Sequence, residues 1–134
     1  MINGRKQVLL QDDINVQADI QWRAHTNATV TIDSSGTTAT LTLAGKTLQV
    51  SLLQAPSGAK FTTQDAVRLS TDPAVPQGGA DIPNPGVTVL TIALPQGSYS
   101  LQVLMNPQWD GMDASSFVTP PTVPVNNWSL TSHN

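Results

Sequence analysis

Between residues 18 and 52, apolar and polar residues alternate almost one for one, and only short turns interrupt the pattern. Residues 18–24 set Ala18, Ile20, Trp22 and Ala24 against Asp19, Gln21 and Arg23. Residues 28–32 repeat this, with Ala28, Val30 and Ile32 against Thr29 and Thr31. Residues 39–43 do so with Ala39, Leu41 and Leu43, and residues 48–52 with Leu48, Val50 and Leu52. Successive side chains of a strand point to opposite faces, so a period of two specifies half-buried strands and cannot give a helix an apolar stripe. The connections fit: Asp33-Ser34-Ser35-Gly36 is a hairpin loop whose glycine supplies a positive φ, and Ala44-Gly45-Lys46 is a second tight turn. The last three of these segments form a meander, and the remaining chain has to pack against it.

On either side the pattern is less regular. Residues 5–11, RKQVLLQ, read as a strand closed by Asp12-Asp13 as a turn. Residues 59–61 suit a short edge strand, and residues 63–69 one helical turn capped by Thr63 with Asp65 in its first turn. Pro73, Pro76, Pro83 and Pro85 forbid a ladder between residues 72 and 86, leaving an irregular loop of a length that is often functional. In residues 87–94 the alternation slips between Val89 and Leu90, predicting a bulge or a strand buried on both faces. Residues 95–98 turn the chain into a last strand over residues 99–105. After it come Pro107, Pro120, Pro121 and Pro124 with little periodicity, either a strap across the body or a linker. The expectation is an all-β protein: an antiparallel β-sandwich of about nine short strands over residues 1–106, with a proline-rich tail over residues 107–134. Its core should hold Trp22, Val30, Ile32, Leu41, Leu43, Leu48, Val50, Leu52, Ile92, Leu101 and Val103.

Charge and composition narrow the function classes. Only 11% of residues are charged, against the ~25% usual in soluble domains, and every acid is Asp. A net charge of −3 with six scattered cations argues against a nucleic-acid surface, which needs a basic stripe. Without cysteine there are no disulfides or thiolate metal sites. No apolar run approaches the ~20 residues of a membrane span. The abrupt start on a strand suggests a piece of a longer protein. Asn27-Ala28-Thr29 and Asn127-Trp128-Ser129 are glycosylation sequons, which suit a secreted protein.

The run GRKQVLLQDDI, the Trp22-x-x-His25-Thr26 strand and the closing VTVLTIAL…YSLQVLMNP resemble the C-terminal β-sheet region of heparinase II/III-like polysaccharide lyases over residues 4–107. The resemblance implies a secreted, carbohydrate-active parent that cleaves uronic-acid polysaccharides by β-elimination. In such enzymes a helical part supplies the catalytic groups, and this chain has no counterpart to it. No catalytic residue is therefore carried over. What the resemblance implies is a non-catalytic accessory domain that packs on the catalytic part of its own parent chain and contacts acidic polysaccharide.

His25 can be read as a base, but no acid is spaced to serve it, so a strand histidine tucked beside Trp22 is the expectation. Tyr99 reads as a core-edge tyrosine with its hydroxyl in water. Asp12-Asp13 and Asp110-Gly111-Met112-Asp113 carry oxygens that suit Ca²⁺, yet lack the spacing of a calcium loop. Neither a metal nor a cofactor is expected. Trp109 sits among Gln108, Asp110 and Asp113, the composition of a sugar-stacking platform, and its alternative role is a plug in the open end of the sandwich. The platform would make the chain an independent carbohydrate-binding module. Trp128 is expected to pin the tail to the body.

Overall fold

The computed structural model describes every residue except Pro83, Asp113 and residues 130–134. It contains eight strands: β1 (Val8–Val16), β2 (Ile20–Thr26), β3 (Thr29–Ile32), β4 (Thr38–Leu43), β5 (Lys46–Gln54), β6 (Phe61–Asp65), β7 (Thr88–Leu94) and β8 (Gly97–Gln108). Two 3-10 turns, Ala114–Ser116 and Val125–Asn127, are its only helical elements among the described residues. The strands form two antiparallel sheets, a five-stranded one in the order β1-β8-β5-β4-β3 and a three-stranded one in the order β2-β7-β6. The sandwich is thus as expected, with one strand fewer.

The core lies between the sheets. Ala39, Val50, Leu101 and Val103 of the large sheet meet Phe61, Leu90, Ile92 and Leu94 of the small one. Trp22 packs against this cluster and meets Phe61 edge-on, with ring centroids 6.4 Å apart. The meander follows its turn chemistry. Gly36 adopts φ 75° and packs so close to Lys60 that any Cβ would collide with that side chain. The Asp33 carboxylate accepts hydrogen bonds from Ser35 Oγ and from the backbone of Gly36 and Thr38. Ala44 and Gly45 both have positive φ, as a two-residue hairpin requires, which sets Leu43 opposite Lys46.

Three expectations are corrected. Asp12 and Asp13 are not a turn: β1 runs through them, pairing Asp12 with Leu101 and Asp13 with Ser100. Residues 63–69 make no helical turn, because residues 61–65 form β6 on the edge of the small sheet, anchored by the buried Phe61. Leu43 has the alternation of a core residue, but at 57% exposure it lies beyond the end of the covering sheet. Of the two alternatives at Val89–Leu90 the strand buried on both faces holds: the register is unbroken and residues 89–92 are all buried in the central strand of the small sheet, while a bulge lies at Leu52/Gln54 of β5.

Beyond β8 the chain returns across β1 as a strap. Gln11 Nε2 donates to the Val123 carbonyl (2.9 Å), Asn3 Nδ2 to the Ser116 carbonyl (2.6 Å), and Gln7 bonds to Val118. Alternation places Gln7, Gln11, Gln102, Leu104 and Asn106 on the face of the large sheet turned away from the core. Gln7, Gln102, Leu104 and Asn106 are nonetheless buried.

Candidate functional site

The two sheets are unequal, so part of the large sheet's inner face is left bare. Leu101, Val103 and Met105 of β8 face the core, and alternation carries that face on to Pro107, with Trp109 following directly after the strand's last residue, Gln108. Register sets Leu48 beside Pro107, Leu41 beside Leu48, and Val8 beside Met105. Leu43 and Lys46 close the same face at the β4–β5 turn. Val8, Leu43 and Trp109, the last 46% exposed, therefore rim an apolar strip at one end of the sandwich.

Trp109 opens a tight turn in which the Met112 N–H donates to the Trp109 carbonyl (3.0 Å), with Gly111 at φ 83°. Asp110 is held by Lys46 (2.9 Å), and Gln108 accepts from Thr47 Oγ1 at 3.5 Å. Both contacts are exposed, so they fix the turn only weakly. Trp109 is thus half-exposed and not a buried plug in the end of the sandwich. Its neighbour Asp113 lies outside the described residues.

The other candidate side chains do not converge. His25 is exposed on the outer face of β2, three residues from Trp22 and therefore on the opposite side of the sheet, not tucked beside it. Tyr99 lies on the large sheet at the edge of the core, and its hydroxyl donates to the Pro95 carbonyl (2.7 Å) in an exposed hydrogen bond. Asp12 and Asp13 point to opposite faces of β1, and Asp13 accepts from Ser100 Oγ (2.6 Å). Two carboxylates so placed cannot share a cation. Among the described residues no group of three His, Cys, Asp or Glu side chains is arranged to hold a metal.

Asn27 is exposed at the β2–β3 turn, where Thr26 Oγ1 accepts from the Ala28 N–H (3.0 Å); Asn127 is exposed in the second 3-10 turn. Trp128 is half-exposed and donates its indole N–H to the Val123 carbonyl (3.1 Å), so its hydrogen bond closes the tail on itself rather than pinning it to the body.

A second depression lies on the outer face of β2 and takes in His25. The loop of residues 66–86 folds toward the outer face of β2, where Arg23 Nη1 meets Asp72 Oδ1 at 3.4 Å. Asp72 also accepts from the Leu69 N–H (2.7 Å), and Arg68 Nε reaches both oxygens of Asp81 (3.2 and 2.9 Å). The one local signal was the length of the proline-rich loop. Among the described residues no helix is long and apolar enough to cross a membrane. No family model matches the chain, and no curated protein matches it.

Proposed function

We propose that this chain is a non-catalytic β-sandwich accessory domain of a secreted carbohydrate-active enzyme, of the kind that closes heparinase II/III-like lyases. Its task is to pack against the catalytic part of the same polypeptide. The observation that supports this is the bare inner-face strip rimmed by Val8, Leu43 and Trp109. An apolar sheet face left open by a covering sheet too small for it is an interface in form, since contiguous apolar patches on a protein surface mark sites of association. Aromatic anchors such as Trp109 are the side chains that most often carry the energy of such contacts.

The exposure of Trp109 beside Gln108 and Asp110 favours a second reading, an independent carbohydrate-binding module with the indole as its platform. Both readings exclude elimination chemistry by the chain alone. The test is to incubate it with glucuronan, alginate, heparan and chondroitin chains and follow the ultraviolet absorbance of the unsaturated ring that β-elimination leaves. The trace should stay flat. Product formation that disappears in His25→Ala would replace the accessory domain by an active lyase.

A further inference from the structure

The depression between β2 and the loop of residues 66–86 is an open cleft of about 470 Å³. Alternation puts Arg23 and His25 on one face of β2, and both line the cleft. From the loop come Arg68, Asp72, Asp81 and Asn84. Two of the six Lys and Arg residues in a chain of net charge −3 therefore line this one cleft, from two elements distant in sequence.

Neither arginine presents its two-pronged edge to its own aspartate. Arg23 spends Nε on Gln21 (2.9 Å) and reaches Asp72 through Nη1 alone, at a long 3.4 Å; Arg68 holds Asp81 through Nε alone. The end-on Nη1–Nη2 fork of Arg68 is thus not the part its aspartate uses, whereas each fork of Arg23 has one prong engaged, Nε by Gln21 and Nη1, at a long distance, by Asp72. The Asn84 amide nitrogen is committed to the Ala66 carbonyl (3.3 Å), which leaves the amide oxygen as an acceptor.

We infer that this cleft binds a carboxylate-bearing saccharide, with the ligand carboxylate on Arg23 and Arg68 and its hydroxyls on Asp81, Asn84 and His25. The balance of charge selects that class. The two arginines are matched by two aspartates, so a bare anion gains little where it faces Asp72 and Asp81 together. A neutral sugar satisfies the aspartates but not the guanidinium forks. A sugar acid carries hydroxyl donors for the carboxylates and a carboxylate for the arginines. The exposed Val67 on the same wall offers its C–H face an apolar contact. The inference deepens the proposed function by giving the domain a sugar contact of its own. It rests on that reading only for the polymer the ligand comes from, and it is independent of Trp109.

The experiment is a titration of the isotope-labelled chain with trigalacturonate, maltotriose and inorganic phosphate, followed by amide chemical shifts. Trigalacturonate should move the amides of Arg23, His25, Arg68 and Asn84, and maltotriose and phosphate should leave them in place. Arg68→Gln and His25→Ala should each weaken trigalacturonate binding about tenfold, the order expected for one charge-assisted or polar contact. Both sites are exposed, so an unchanged melting temperature will separate lost binding from lost folding. Arg23 is left intact because it ties down the loop. Equal shifts with phosphate or with maltotriose, or shifts gathered around Trp109, would overturn the inference. An absence of shifts would also overturn it while leaving the packing role standing, whereas an unsaturated product in the lyase assay would remove that role and leave this site in place.

Discussion

The side-chain amide of Gln7 and the backbone of Val118 exchange two hydrogen bonds of 3.0 Å, although 111 residues separate them. Gln7 Nε2 also donates to Asn106 Oδ1 (2.6 Å), and Gln7 Oε1 accepts from Asn3 Nδ2 (2.8 Å). The side chain has no exposure to solvent. The amide stands in for a strand neighbour, binding the strap as a ladder residue would and joining it to β8 through Asn106.

Removing that amide should loosen the strap. Gln7→Ala leaves the buried Asn106 amide oxygen and the part-buried backbone of Val118 without their partner, which costs about 1–3 kcal/mol. Gln7→Glu keeps the shape but turns a donor into an acceptor facing two oxygens, so it should be at least as damaging. Denaturant melts give the stability, and faster amide exchange at Val118 will show that the strap has been released. Exchange at Val118 as slow as in the parent protein would mean that other contacts hold the strap.

Two leucines with the same alternation should respond very differently. Leu101 is fully buried in the core, and Leu101→Ala should cost about 2–5 kcal/mol from lost burial and the cavity left behind. Leu43 lies on the bare strip, and Leu43→Ala should change stability by no more than about 0.5 kcal/mol. Paired denaturation curves check both values, and a large loss at Leu43 would show that the strip is part of the core.

The β3–β4 hairpin should be sensitive to acid. The Ser35 hydroxyl on the Asp33 carboxylate holds its pKa below the ordinary value; desolvation opposes this, and the backbone N–H groups of Thr38, Gly36 and Thr37 add to it. A lowered folded pKa means that the stabilisation is complete above about pH 4 and is lost as the pH falls through the folded value. In Ser35→Ala the Asp33 carboxyl should titrate closer to its ordinary value, followed by carboxyl chemical shifts, and the drop in melting temperature on acidification should shrink. An unchanged Asp33 titration in that variant would show that the hydroxyl is not the cause.

The parts of the fold legible in the sequence are those whose partners lie nearby. β3, β4 and β5 pair through short turns, so strict alternation and turn residues suffice to place them. β1 was cut short because adjacent aspartates look like a turn; on an edge strand they simply project to opposite faces, with Asp13 bound to Ser100 of β8. β6 carries one buried apolar anchor, Phe61, and too little alternation to stand out from the turn signals around it. Gln7, buried beneath a tail more than a hundred residues away, gives no local sign of its burial. Of the candidate site, Trp109 was legible as an unusual indole in a polar loop. Its place beside the β4–β5 turn, where Asp110 meets Lys46, depends on strand register, and the cleft that Arg23 and Arg68 both line depends on how a proline-rich loop folds back; neither is written in any local pattern.

Tryptophan fluorescence tests the role of the bare strip around Trp109 most directly. The chain is titrated with acidic and neutral polysaccharides beside the Trp109→Ala variant. If the strip is a packing face, no part of the fluorescence response will depend on Trp109. The variant will also melt within a few degrees of the parent, because the indole is already half-exposed. A saturable response to polysaccharide that Trp109→Ala abolishes would contradict the packing role and make the strip a sugar-binding platform.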